Sequence, residues 1–272
     1  MLPESRTAAG AAGLAALVAD PANALLTLDY DGTLAPIATR PEDAVPAPGA
    51  LAALTACSQT FATVAIVTGR PAAVVVSLAG ATAVDNLVVL GHYGEECWTA
   101  AGGLVAPPEH PGLPVARRLL AERLAGLFER GVRLEEKGLS VAVHTRAADD
   151  PDATLAAACD TVLGIANDTG LAVNNGRYVV ELRAPGACDK RGAINRLVDE
   201  RNPKALLFAG DDLVDLPAYE AVEDFRGKGG AGVGVFVDNP EAVSVRDLAD
   251  IVLTDTHACV TFLHDLADAA RA

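Results

Sequence analysis

The run from Ala24 to Pro36, ALLTLDYDGTLAP, constrains this chain more than any other stretch. An apolar segment of strand length, Ala24 to Leu28, breaks into two aspartates one residue apart and then Gly32-Thr33. A buried strand that ends in a polar, glycine-containing turn is where open α/β sheets place ligand chemistry, at the carboxyl edge. Asp29 and Asp31 fall on the same side of the chain where strand geometry persists, because side chains alternate with period two. Carboxylates so close repel unless a cation sits between them or one holds a proton. Either arrangement suits catalysis, with one acid as nucleophile and metal ligand and its neighbour moving a proton. Asp-Gly is also an ordinary turn pair, so the pattern has to be supported from elsewhere in the chain.

Similar junctions recur downstream. The apolar run Thr63 to Val67 stops at Thr68-Gly69-Arg70-Pro71, a hydroxyl, a glycine and a proline suited to the first turn of a helix. Leu87 to Leu90 leads into GHYGEECW, where Glu95 and Glu96 follow in a glycine-rich turn. Ala205 to Ala209 runs into GDDLVDLPAY. Three acids there, Asp211, Asp212 and Asp215, call for a hard divalent cation with oxygen ligands; a helix N-cap accounts for one aspartate but hardly for all three. A short helix within Thr7 to Val18, helices over Gly49–Ser58, Arg191–Arg201 and His257–Ala270, and strands at Gly232–Val237 and Ile251–Thr254 complete a Rossmann-like α/β core with a parallel sheet. The proline- and acid-rich segment Ile37 to Pro48 reads as an extended surface loop.

A different pattern interrupts that core. After a proline- and glycine-rich linker, Ala101 to Pro114, comes a helix over Val115–Arg130. Strands Val132–Glu136 and Leu139–Thr145 turn at Lys137-Gly138. A helix over Asp152–Asn167 precedes strands Leu171–Asn174 and Tyr178–Arg183, joined at Asn175-Gly176. The repeated helix–strand–strand order predicts an antiparallel sheet with helices on one face, inserted as an α/β cap domain. The expected organisation is a core of residues 1–106 and 186–272 around a cap of residues 107–185. Hinge motion is expected at Ala101–Pro114 and Ala184–Cys188, because water must be excluded during reaction and product must leave.

A formal charge of −15 argues against nucleic acid or an anionic membrane as partner. No apolar run reaches membrane-spanning length, and the alanine-rich start lacks a basic n-region and a convincing cleavage site. The five cysteines show no CxxC or zinc spacing and read as small buried hydrophobes in a reducing compartment. A cytoplasmic protein is expected. If the substrate is a phosphate ester, so acidic a chain must gather positive charge locally.

DYDGTLAP resembles motif one of the haloacid-dehalogenase-like (HAD) phosphohydrolases, and Thr68, Lys190 and the Asp211/Asp212/Asp215 cluster match its other motifs in order. The resemblance implies roles residue by residue. Asp29 would be the nucleophile that forms an aspartyl-phosphate, and Asp31 the acid that protonates the leaving alcohol and then activates water. Thr68 would bind a phosphoryl oxygen, with Gly69 and Arg70 beside it in the substrate-binding set. Lys190 would steady nucleophile and phosphate. Mg²⁺ would be held by Asp29, Asp211 and the backbone carbonyl of Asp31, with Asp212 and Asp215 in support; metal and lysine together would resolve the charge puzzle.

An insertion between motifs two and three is the position of the larger cap type. Three segments are similar to trehalose-6-phosphate phosphatases: LDYDGTLAPI with its proline-rich loop, GHYGEE, and LEEKGLSVAVHTR. They imply sugar contacts at Glu96, Glu135 and Lys137, trehalose 6-phosphate as substrate, and raise a trehalose-phosphate synthase as a protein partner. Tyr93, Glu95 and Arg191 depart from the family pattern. Phosphatases for sucrose 6-phosphate or mannosyl-3-phosphoglycerate and phosphomannomutase carry caps of this type and stay as alternatives. So does a non-catalytic sugar-phosphate-binding module, although such modules usually lack the acids that this chain retains.

Overall fold

The computed structural model describes residues 1–38 and 40–272; position 39, inside the Ile37–Pro48 loop, lies outside the described residues. The chain forms two compact units, Met1–Ala106 with Cys188–Ala272, and Pro107–Ala187. In chain order the strands are β1 (Ala24–Leu28), β2 (Thr63–Val67), β3 (Leu87–Gly91), β4 (Glu96–Thr99), β5 (Gly103–Val105), β6 (Arg133–Glu136), β7 (Ser140–His144), β8 (Ala172–Gly176), β9 (Val179–Arg183), β10 (Ala205–Gly210), β11 (Ala231–Val237) and β12 (Ile251–Leu253). The α-helices are α1 (Ala8–Ala19), α2 (Ala50–Thr60), α3 (Ala72–Leu78), α4 (Gly112–Arg123), α5 (Pro151–Thr169), α6 (Lys190–Arg201), α7 (Leu216–Gly227), α8 (Val243–Arg246) and α9 (Thr256–Arg271).

The first unit is built on an eight-stranded sheet ordered β12-β11-β10-β1-β2-β3-β4-β5. Pairing is parallel from β12 across to β3. Strands covered on both faces read as nearly continuous apolar runs, and β1, β2, β3 and β10 are buried along their whole length. Leu26 and Leu28 point into one core with residues of α1, α2, α3 and α9. Leu25 points into the other with residues of α6 and α7. Thr27, polar in the central strand, is satisfied by donating its hydroxyl to the Leu207 carbonyl at 2.7 Å. In register, Leu28 lies beside Ala209 on one side and Ile66 on the other. The carboxyl ends of β10, β1 and β2 are therefore level, and the residues just after them share one edge.

The far edge differs from the sequence expectation. GHYGEECW is only partly a turn, and Ala101–Pro114 is not one linker. Glu96–Thr99 and Gly103–Val105 fold back as antiparallel strands, with Val89 opposite Trp98 and Leu90 opposite Cys97. Pairing with β3 and the packing of Trp98 on the core override weak local signals, and Gly103 takes a φ of 67° that suits its turn. What is left without regular structure is 106–111.

The second unit is a four-stranded antiparallel sheet, β6-β7-β9-β8. Leu113, Ala116 and Leu120 of α4 and Val162 and Ile165 of α5 pack with Val141, Val143, Val180 and Leu182 of the sheet. The helix expected over Val115–Arg130 ends at Arg123 and continues as 3-10 turns over Ala125–Arg130. The second hairpin turns at Arg177-Tyr178 and not at Asn175-Gly176, because Gly176 pairs with Val179. A shift of two residues preserves which side chains face the helices, so alternation cannot detect it. Tyr178 takes the left-handed conformation, φ 58°, with the guanidinium groups of Arg146 and Arg177 over its ring at 5.6 and 5.1 Å. Among the described residues no helix is long and apolar enough to cross a membrane.

Candidate active site

Asp29 leaves β1 with its N–H on the Ala209 carbonyl at 2.8 Å, so the β1–β10 pairing runs one residue past the strand. Tyr30 turns into the core and donates its hydroxyl to the Ala44 carbonyl at 2.8 Å. The loop then closes on itself, Gly32 N–H to Ala35 carbonyl at 2.7 Å. Gly32 has φ 77°, and a Cβ there would collide with the Asp211 carboxylate. The glycine thus serves both the turn and the close approach of β1's loop to β10's.

Lys190 opens α6 behind Asp189, which caps the helix. Its ammonium, fully buried, bridges Asp29 Oδ1 and Asp215 Oδ1, each at 2.5 Å. Asp215 spends its other oxygen on the N–H groups of Asp211 and Asp212 at 2.9 and 3.0 Å, so it orders the loop after β10. Asp211 accepts from Asn239 Nδ2 at 3.1 Å through Oδ2, while its buried Oδ1 has no hydrogen-bond partner among the described residues. Asp29, Asp211 and Asp215 offer oxygens within 4.8 Å of one another.

Electrostatics here is severe. Burial, opposed by Lys190 and reinforced by Asp215 and Asp31, pushes the Asp29 carboxyl up to about 7. Burial together with Asp29, Asp215 and Asp212 pushes Asp211 up to about 9. Burial alone would lower Lys190, but Asp215 and Asp29 outweigh it and hold the ammonium well above the ordinary lysine value. One buried cation thus faces three buried carboxylates. A divalent ion fits this donor set: the ligands are hard oxygens, the excess charge is negative, and Asp211 Oδ1 lacks a partner.

The other expected residues fall around this cluster. Thr68, buried at the end of β2, accepts the Arg70 N–H on its hydroxyl at 3.2 Å. Arg70 engages both oxygens of Asp31, Nε to Oδ2 at 2.6 Å and Nη2 to Oδ1 at 2.7 Å. Gly69 lies against the Tyr93 ring, where a Cβ would meet Cζ at 2.6 Å. Glu96 is buried with Oε2 on the Ala72 N–H at the start of α3, 2.6 Å away, and His92 Nε2 is 3.9 Å from its other oxygen. Asp212 caps the turn Leu213–Asp215 and accepts from Leu213 N–H at 2.5 Å. The side chains of Asp31 and Asp212 therefore sit outside the group formed by Asp29, Asp211 and Asp215. Glu95 accepts the Cys188 N–H, and Arg191 pairs with Asp224 and Glu220.

Within the second unit, Glu135 and Lys137 come together with residues that the sequence did not single out. Lys137 Nζ lies 3.5 Å from Glu135 Oε2 and 3.6 Å from Glu181 Oε1. His144 Nε2 is 2.8 Å from Glu135 Oε2, and Ser140 donates to Glu181 Oε1 at 2.6 Å. Burial raises the Glu135 carboxyl, but the His144 bond and Lys137 outweigh it and hold the group at about 2. Glu181 and Asn239 were missed. A charged residue inside an apolar strand could have flagged the first, and an Asp-Asn-Pro turn after β11 the second.

The fold is that of the haloacid-dehalogenase-like hydrolases. A solved trehalose-6-phosphate phosphatase related protein superposes with a TM-score of 0.70 at 24% identity, covering 90% of this chain and 97% of that one. The chain belongs to the trehalose-phosphatase family, whose model matches residues 27–250. A trehalose-phosphate phosphatase of Mycobacterium marinum is 35% identical over 78% of this chain and 53% of its own length. An uncharacterized glycosyl hydrolase of Mycobacterium tuberculosis is 34% identical over 88% of this chain. This chain spans 18% of that relative and about half of the M. marinum protein.

Proposed function

We propose that the chain is a Mg²⁺-dependent phosphatase that hydrolyses trehalose 6-phosphate to trehalose and phosphate through an aspartyl-phosphate on Asp29. The observation that carries this reading is the convergence of Asp29, Asp211 and Asp215 from the ends of two paired strands on one point, with Lys190 bridging Asp29 and Asp215. Uncatalysed phosphate-monoester hydrolysis needs acceleration of up to roughly 10²¹, and one acid–base residue supplies about 10²–10⁴. Covalent catalysis and charge neutralisation must provide much of the remainder.

In the first half-reaction an Asp29 oxygen bonds to phosphorus, the phosphorus–oxygen bond to the sugar breaks, and the proton of Asp31 passes to that oxygen. In the second, a water oxygen bonds to phosphorus, the bond to Asp29 breaks, and a water proton returns to Asp31. Thr68 holds a phosphoryl oxygen, and Lys190 keeps Asp29 oriented. Asp29, Asp211 and the Asp31 carbonyl would hold Mg²⁺, with Asp212 and Asp215 in support, and the ion would there neutralise charge on the phosphate. Glu96, Glu135, Lys137 and Glu181 serve sugar hydroxyls. A site built to hydrogen-bond hydroxyls rejects analogues that leave its polar groups unpaired.

The test is phosphate release from trehalose 6-phosphate, sucrose 6-phosphate and mannosyl-3-phosphoglycerate, with Mg²⁺ and with EDTA. Trehalose 6-phosphate should be turned over fastest and only with metal, and Asp29→Asn should abolish turnover of every ester. Preference for another ester would overturn the substrate assignment, and full activity of Asp29→Asn would overturn the chemistry.

A further inference from the structure

Arg70 has no assigned atom of the substrate in this reaction, and its contacts point elsewhere. We infer that Arg70 is a positioning residue that acts through Asp31, aiming the carboxyl that exchanges a proton with the leaving alcohol. It is not a ligand of the phosphate. The inference rests on the phosphatase reading above.

Both Asp31 oxygens accept from one guanidinium, at 2.6 and 2.7 Å, and each keeps a second lone pair for the exchanged proton. A planar fork that engages both oxygens fixes the plane and position of a carboxylate, which a point cation cannot do. The fork is itself anchored. Nη1 donates to the Pro41 carbonyl at 2.7 Å, and the guanidinium carbon lies 5.8 Å from the centre of the buried Tyr30 ring. The Arg70 N–H rests on Thr68 Oγ1, and its carbonyl accepts from His92 N–H at 3.0 Å. Arg70 is only 16% exposed, whereas Asp31 is 37% exposed on a loop. The better-held partner positions the looser one. Asp29 needs no such help, because Lys190 is already on it at 2.5 Å. Misplacing a reacting group by about 1 Å loses on the order of 10² in rate, so an untethered Asp31 would matter.

Two ester classes separate the possibilities. An alkoxide leaves only if protonated, whereas p-nitrophenolate leaves without a proton. A residue that acts through Asp31 therefore affects a sugar phosphate far more than p-nitrophenyl phosphate, and a phosphate ligand affects both alike. The quantity to measure is kcat/KM with Mg²⁺, which reports the steps through release of the alcohol and omits the later water attack. The proteins are the parent chain, Arg70→Gln, Arg70→Lys, Asp31→Asn and the double variant. Arg70→Gln should lower kcat/KM for trehalose 6-phosphate by about 10- to 100-fold, at least about tenfold more than for p-nitrophenyl phosphate. Lysine should not restore it, and the double variant should match Asp31→Asn within about twofold. Equal losses on the two esters, or losses that multiply in the double variant, overturn the inference. If Arg70→Gln does not fold, Arg70→Lys retains the charge and answers by the same ratio. A parent chain that hydrolyses neither ester sinks the phosphatase reading and this inference with it, an outcome distinct from equal losses in an active enzyme.

Discussion

Replacing Asp211 by asparagine separates what the acidic cluster costs the fold from what it does for the reaction. Asp211 is almost wholly buried, and burial with its acidic neighbours pushes the carboxyl from 3.8 to about 9. Below about pH 4 the group is neutral in both folded and unfolded chains and costs nothing. As pH rises further, the unfolded chain ionises while the folded one does not, so stability is lost until pH passes about 9. At pH 7 the gap is roughly three units, on the order of 4 kcal/mol at about 1.36 kcal/mol per unit. Because Asp29 and Asp211 offer oxygens within 4.8 Å of one another, neutralising one relaxes the other and lowers the gain toward about 2 kcal/mol. An amide keeps the shape of the side chain and can still accept from Asn239 Nδ2. In EDTA at pH 7–8, Asp211→Asn should therefore be more stable than the parent by about 2–4 kcal/mol, the difference vanishing near pH 4. Mg²⁺ should offset that gain, since an ion at 100 times its Kd stabilises a chain that binds it by about 2.7 kcal/mol. Urea denaturation at pH 4.5, 6 and 8, with EDTA or with Mg²⁺, measures both effects. The reasoning fails if the variant is less stable than the parent in EDTA at pH 8, or gains as much from Mg²⁺.

Gly32→Ala should lower stability by about 1–3 kcal/mol through its positive φ. It should also abolish stabilisation by Mg²⁺, because the new Cβ displaces the Asp211 carboxylate; an unchanged response to Mg²⁺ in thermal melts would contradict this. Glu135, held at about 2, contributes stability that is present above about pH 4.5 and is lost as pH falls toward 2. The midpoint of Glu135→Gln should accordingly vary less over that range than the parent's in circular-dichroism melts. Cys57 and Cys259 are buried, and burial pushes both thiols up to about 12. Mass spectrometry should find neither alkylated by iodoacetamide at pH 8 in the native chain and both alkylated in urea.

The parts of the site that were legible in sequence are those where a buried strand stops at a residue that cannot belong to it. Asp29, Thr68 and Asp211 each follow a wholly buried strand, and the register of β1 with β2 and β10 turns three separate discontinuities into one edge. Contacts that depend on how loops meet were not legible. Nothing local ties Arg70 to Asp31 or Asn239 to Asp211; those pairs exist only once the sheet has formed. The same holds for the fold. Continuous apolar strands announce themselves, but β4 and β5 are short and partly exposed, and they owe their existence to the pairing of β4 with β3 and of β5 with β4. The β8–β9 turn moved by two residues, the one displacement that alternation conceals.

An interrupted core also bears on how the chain is made. Lys190 meets Asp29 across 161 residues, and β1 has β10 as one of its two neighbours. During synthesis the intervening Pro107–Ala187 unit emerges whole while β1 still has one side unoccupied. That unit's sheet is made of two hairpins joined through α5 within one continuous segment, so it can form early. The unit that carries the candidate site cannot close until β10 leaves the ribosome. A slow or stalled ribosome in the segment between would therefore hold an apolar strand edge open, exposed to chaperones or to another nascent chain.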